Sequence, residues 1–85
     1  MWKNQTVQVI FPAYNEEENI YQAIQDFFGT GYVDQIIVVD NNSTDRTKEK
    51  ILATKATYIF EKQPGYGSAL IRGLRESSAD LIVMC

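Results

Sequence analysis

Apolar residues fall in short blocks along the chain, and each block runs into a polar loop. Thr6 to Phe11 is mostly β-branched and apolar, which predicts a strand. Pro12 has no N–H for a ladder, so the strand is expected to yield to a loop there. Asn15 suits a helix N-cap, and Glu18 three residues later completes a capping-box pattern. Glu16, Glu17 and Glu18 would then sit at the positive end of the helix dipole. Ile20, Ile24, Phe27 and Phe28 recur at helical spacing and predict one buried face, with Gly29 and Gly31 ending the helix.

The pattern then repeats. Val33 to Asp40 predicts a second strand, and Ile36-Ile37-Val38-Val39 is apolar on both faces, as a central parallel strand requires. Asn41 to Asp45 reads as a loop, with Ser43 or Thr44 expected to cap a helix over Thr47 to Thr54 that turns Ile51 and Leu52 inward. Ala56 to Phe60 predicts a third strand and Glu61 to Gly67 a loop. Ser68 to Ser77 predicts a helix with Leu70, Gly73 and Leu74 on one side, where Gly73 permits close helix-to-sheet packing. Asp80 to Cys85 predicts a fourth strand. Strands alternating with helices over short loops imply βαβ crossovers and a parallel sheet. The expectation is an α/β, three-layer half-Rossmann domain over residues 1–85, with a parallel four-stranded sheet in the order 3-2-1-4 and helices on both faces.

Composition narrows the classes. The 85 residues allow one small domain, and a 45% apolar content suits a packed core. A net charge of −3 without a basic cluster argues against nucleic acid and against an electrostatic membrane patch. No stretch approaches the roughly 20 apolar residues of a membrane span. Met1 to Thr6 is too short and polar for a signal peptide, so a cytoplasmic location is expected. One cysteine and no histidine exclude a disulfide scaffold and His/Cys zinc sites. Sequons occur at Asn4, Asn41 and Asn42, with no secretory signal to bring them into use.

Open parallel sheets bind ligands beyond the carboxyl ends of their strands, so the chemistry is sought in the loops there. Around Phe11 to Glu16, Pro12 and Ala13 let a flat ring lie against the backbone and Tyr14 offers an aromatic face. Asn15 and Glu16 carry groups for a base edge or a ribose hydroxyl. Read blandly, the same residues are a proline-terminated strand and a cap. Asp40 ends the second strand, where a carboxylate accepts from the imide N–H of uracil or guanine, or from a ribose; the bland reading is a helix-capping acid. Asn41 and Asn42 tolerate left-handed backbone and allow a tight turn. Gly65 and Gly67 flank Tyr66 at a helix start, where free N–H groups favour a pyrophosphate, with Lys62 and Arg72 as added charge. Two glycines also mark ordinary turns. No G-x-G-x-x-G follows the first strand and no G-x-x-x-x-G-K-[ST] occurs, which disfavours an NAD-type fold and a P-loop NTPase.

Taken together, Phe11-Pro12-Ala13-Tyr14-Asn15-Glu16-Glu17, Val38 to Thr47 and Gly65 to Gly73 resemble the nucleotide-sugar-binding part of family 2 glycosyltransferases, with the GT-A fold. Ala79 to Val83 resembles the strand that leads to that family's metal motif, and Gly65-Tyr66-Gly67 resembles its polyprenyl-phosphate sugar transferase branch. The resemblance implies that Pro12, Ala13, Tyr14 and Glu16 line a nucleoside pocket and that Asp40 hydrogen-bonds the base. Asn42 is included in the same substrate-binding set, with Lys62, Gly65 and Gly67 bordering the ribose and phosphates. It implies a UDP- or GDP-sugar donor and inverting transfer to an acceptor hydroxyl or phosphate. The Mg²⁺ or Mn²⁺ of the parent enzyme would be held by an Asp-x-Asp motif beyond Cys85, and a later carboxylate would act as base. No catalytic or metal residue is therefore assigned within the chain, which is expected to be an inactive fragment of a longer enzyme. An exposed fourth strand would favour self-association, and any membrane contact would come from other segments of the parent. Rival readings are a nucleotidyltransferase, which would show a glycine-rich basic loop where Pro12-Ala13-Tyr14 stands, and a non-catalytic nucleotide-binding or assembly module. A phosphoacceptor site at Asp40 lacks the acidic cluster it needs near the first strand.

Overall fold

The computed structural model describes residues 1–63, 65–77 and 79–84. Pro64, in the glycine loop, and Cys85, at the expected end of the fourth strand, lie outside the described residues. The elements follow in the order β1 (Val7–Ala13), α1 (Ile20–Gly29), β2 (Gln35–Asp40), α2 (Thr47–Leu52), β3 (Thr57–Phe60), α3 (Tyr66–Glu76) and β4 (Leu81–Met84). The sheet is parallel, in the order β3-β2-β1-β4, as the strand–helix alternation implied.

Side-chain alternation along the two central strands builds two cores. Val9 and Ala13 of β1 and Ile36 and Val38 of β2 face α1 and α2, where Ile20, Ile24 and Ile51 close over them. Ile10, Ile37 and Val39 point to the other face and meet Ala69 of α3. The register Val9↔Ile36 through Ala13↔Asp40 holds both faces in phase; a one-residue slip would turn each apolar set to the wrong side. Gly73 is buried against β1, and a Cβ there would run into Ile10 Cγ2.

The strand does not stop at Pro12. The Val7 and Ala13 carbonyls accept from Asp34 N–H and Asn41 N–H, so odd positions of β1 turn their backbone toward β2. Pro12, one step out of phase, turns its missing donor away from β2. The β1–β2 ladder therefore loses no bond at Pro12, and β1 runs on to Ala13.

Local pattern misplaced other details. Asn15 does not cap α1: it takes a left-handed φ of 50°. Glu16 lies before the helix and accepts on its carbonyl from Asn19 and Ile20 N–H, so none of the three glutamates lies in the first helical turn. Leu52 was expected inward but is exposed, and Leu74, grouped with Leu70 and Gly73 on one side of α3, is exposed as well. Helix α2 is only six residues long, and Ile51 alone fills its inward apolar position.

Replacing Gly73 with alanine should destabilise the chain by about 1–3 kcal/mol, because Ile10 is fully buried and its branched methyl has nowhere to move. Gly29→Ala, whose Cβ meets nothing within 4 Å, should be neutral or stabilising. Urea unfolding of both variants checks this; equal midpoints would remove the close-packing explanation.

Candidate nucleotide-binding site

The strand order reverses beside β1, and in open sheets that is where the crevice at the carboxyl edge opens. Three loops meet there, and their polar side chains tie them together. Asn15 N–H donates to Ser43 Oγ at 2.9 Å, and Thr44 N–H donates to Asn15 Oδ1 at 2.8 Å. Glu16 N–H donates to Thr47 Oγ1 at 2.8 Å and Glu17 N–H to Asp45 Oδ2 at 3.3 Å. The second loop then grips the third. Asn41 Nδ2 donates to the carbonyls of Glu61 and Gln63, while its Oδ1 accepts from Gly65 N–H. Asn42, at φ 63°, donates from Nδ2 to the Lys62 carbonyl at 2.8 Å. These bonds explain why Asn15 abandons its expected cap: its amide completes an inter-loop pair instead. Ser43 and Thr44 likewise reach across to the first loop, and Asp45 takes the N–H and hydroxyl of Thr47 at the start of α2.

A cleft of about 290 Å³ opens between the first loop and α3, lined by Pro12, Ala13, Tyr14, Glu16, Asn41 and Ala69. Ligand pockets commonly occupy about 300–1,000 Å³, so this volume suits one part of a ligand, such as a nucleoside. A second hollow of about 220 Å³ shares Pro12 and Glu16 and continues along Phe11, Asn19, Ile20 and Ala23. Tyr14 stands 58% exposed at the rim, with its ring free to lie against a flat group. A larger hollow of about 500 Å³, bordered by Gln25, Phe28 and Lys55, is distant from these loops in the fold and carries none of the predicted site residues.

Four of the predicted site residues, Pro12, Ala13, Tyr14 and Glu16, thus share one wall. Asp40 lies behind it. Its register partner Ala13 and its neighbour Asn41 line the cleft, while Asp40 itself is buried. Its Oδ1 accepts from Ser43 N–H at 3.0 Å and its Oδ2 from the Tyr58 hydroxyl at 2.7 Å. Asn42, Lys62, Gly65 and Gly67 do not line the cleft. Asn42 is a loop clamp, Lys62 is exposed, and the Gly65 N–H is spent on Asn41 rather than left open to an anion. Arg72 pairs with Glu61 and Glu76 on the outer flank of α3 and adds no charge to the cleft. Asn41 and Tyr58 were not among the predicted site residues. Their roles depend on which strands are neighbours, which no local motif records.

Three ionisable groups are shifted by these contacts. Burial, the hydrogen bond to Asp40 and the adjacent negative charge all push the Tyr58 phenol above its ordinary range, so it remains a donor. Burial alone would raise Asp45, but hydrogen bonds from the Thr47 hydroxyl, Thr47 N–H and Glu17 N–H outweigh it and hold the carboxyl below the usual 3.8. At the opposite edge of the sheet, Val7 N–H and then the Met1 amino group lower Asp34. Among the described residues no three Asp, Glu, Cys or His side chains gather where they could hold a metal ion. No described helix is long and apolar enough to cross a membrane.

Comparison with known proteins places the chain in a family. The model of the family "Glycosyl transferase family 2" matches residues 8–85. The chain belongs to glycosyl transferase family 2. It is 36% identical over 88 residues to glucosyl-3-phosphoglycerate synthase of Mycobacterium tuberculosis, covering 92% of the chain and 27% of that enzyme. It is 39% identical over 85 residues to dolichol-phosphate mannosyltransferase of Pyrococcus furiosus, covering 92% of the chain and 24% of that enzyme. The crystal structure of the mycobacterial synthase with Mn²⁺, UDP and phosphoglyceric acid superposes with a TM-score of 0.83 at 34% identity, over 96% of this chain and 32% of that one. A further structure of that synthase holds Mg²⁺ and UDP. The chain therefore spans about a quarter to a third of the length of these glycosyltransferases.

The lowered Asp45 gives a pH signature. Its contribution to stability is present above the unfolded value near 3.8 and is lost as pH falls through the lower folded value. Asp45→Asn should lower stability at pH 7 and flatten the loss as pH falls below the unfolded value near 3.8. Urea midpoints taken across that range test this, and parallel curves for the two proteins would refute it.

Proposed function

We propose that this chain forms the donor-nucleotide site of a glycosyltransferase, with UDP as the nucleotide of its sugar donor. The observation that carries the reading is an apolar, tyrosine-rimmed cleft at the end of β1, with the buried Asp40 carboxylate at the end of β2 directly behind its Ala13–Asn41 wall. Pro12 and Ala13 give a flat wall for a base, and Tyr14 supplies a stacking face at the rim. Asp40 presents a carboxylate that already holds two protein donors and has further lone pairs for a base N–H. Glu16, exposed at the mouth, is placed for a ribose hydroxyl. The mycobacterial relative crystallised with UDP supports uracil over guanine, although an acceptor carboxylate suits the imide of either base.

In this reading the chain's own residues bind and orient the nucleoside and shield one face of it from water. Lys62 and the Gly65–Gly67 turn lie at the start of α3, toward the expected diphosphate, but outside the cleft wall. The described residues do not offer the donor set of a divalent cation, so a Mg²⁺ or Mn²⁺ site is proposed only for the longer protein. Transfer with inversion to an acceptor hydroxyl or phosphate is likewise proposed for that protein. The chain by itself is inferred to bind nucleotide without transferring sugar.

Titration of the folded chain with UDP, GDP, CDP and ADP, with and without Mn²⁺, tests the proposal. Saturable UDP binding is expected, abolished by Asp40→Ala and weakened by about 1–3 kcal/mol in Tyr14→Ala through lost base stacking. Absence of UDP binding by the folded chain, or wild-type affinity in Asp40→Ala, would overturn the assignment.

A further inference from the structure

The hydroxyl of Tyr58 reaches from β3 to the one buried carboxylate among the described residues at the carboxyl edge of the sheet. Tyr58 is half-buried and packs with the α1/α2 core, and Lys48 of α2 lies over its ring, 5.4 Å from Nζ to the ring centroid. The ring is thus held from the sheet side and from the helix side, and the hydroxyl has one direction to donate. On the other oxygen of Asp40, Ser43 N–H donates, and Ser43 Oγ in turn accepts from Asn15 N–H of the first loop. A continuous chain of donors and acceptors therefore runs Tyr58–Asp40–Ser43–Asn15, from the third strand to the loop that lines the cleft.

We propose that Tyr58 is a positioning residue for base selection: its hydroxyl fixes the plane of the Asp40 carboxylate and so the directions in which it can accept. The proposal rests on the nucleotide reading above. A carboxylate has about four lone-pair directions, and two protein donors fill one on each oxygen. The remaining directions are set by those donors and are not free to rotate. A base must then bring an N–H to them. Uracil does so with its imide N3–H. Cytosine brings a ring-nitrogen lone pair at the same place, which leaves two acceptors facing each other in a buried site. With phenylalanine at position 58 the carboxylate is free to swing, or to find a different partner, and the choice between the bases loses its geometric basis.

The test is the ratio of CDP to UDP dissociation constants in the wild-type chain and in Tyr58→Phe, which removes one oxygen and keeps the ring. The expected result is a fall of about tenfold in that ratio, with UDP weakened and CDP little changed. In an Asp40→Asn background the same substitution should leave the ratio unchanged, because the two residues act through one hydrogen bond. A merely structural bond would weaken both nucleotides by equal factors and leave the ratio intact, which overturns the proposal. A readout independent of any variant is the Tyr58 Cζ resonance of the wild-type chain, expected to move when UDP saturates Asp40; an unmoved resonance at saturation also overturns it. If the wild-type chain shows no preference for UDP over CDP, the nucleotide reading itself fails. If it prefers UDP and Tyr58→Phe keeps the full preference, only the role of Tyr58 fails.

Discussion

A parallel sheet gives its strands hydrogen-bond partners but leaves the loops at its carboxyl edge without any. In this chain those partners are short polar side chains on neighbouring loops. Asn15 pairs with Ser43 and Thr44, and Asn41 and Asn42 hold the segment from Glu61 to Gly65. Where such backbone groups are partly buried, as with Glu16 N–H on Thr47 Oγ1 and Ser43 N–H on Asp40 Oδ1, an unpaired one would forfeit about 1–3 kcal/mol. The site rests on this requirement: the cleft exists because three loops with no regular structure are kept at fixed spacing. Consistently, no buried side-chain nitrogen or oxygen among the described residues lacks a partner.

The same constraint divides labour within the motif that follows β2. Asp40 is buried and faces the α1/α2 core with its carboxylate held at both oxygens. The next two residues turn outward and grip the third loop. Ser43, Thr44 and Asp45 turn back to the first loop and to the start of α2. Six consecutive polar residues thus serve three neighbours. A substitution here acts on the site through loop position, even where the side chain never meets a ligand.

Tyr14 and Tyr58 show two uses of one residue type. Tyr14 is exposed at the rim, where its ring is available to a ligand. Tyr58 has its ring packed and its hydroxyl committed, and its phenol is pushed upward so that it stays a donor. Their roles are separated by strand neighbours and burial, since the two side chains are chemically identical.

The order of strands and helices was legible from the chain alone, because apolar periodicity of two or of 3.6 is a local property and short loops leave few topologies. So was the close approach at Gly73. The caps were not legible. Asn15 and Glu18 satisfy a local rule for a helix start, yet a pairing with residues nearly thirty positions away holds Asn15 in a left-handed turn instead. The tolerance of Pro12 within β1 depended on which neighbour its missing donor faces, and the inward setting of Leu52 failed because the six-residue α2 turns only Ile51 into the apolar core. The partner of Asp40 was hidden for the same reason: Tyr58 is eighteen residues away and becomes its neighbour only when β3 adds beside β2 in register. Periodicity determines which residues are inside; only the packed sheet decides which polar groups meet.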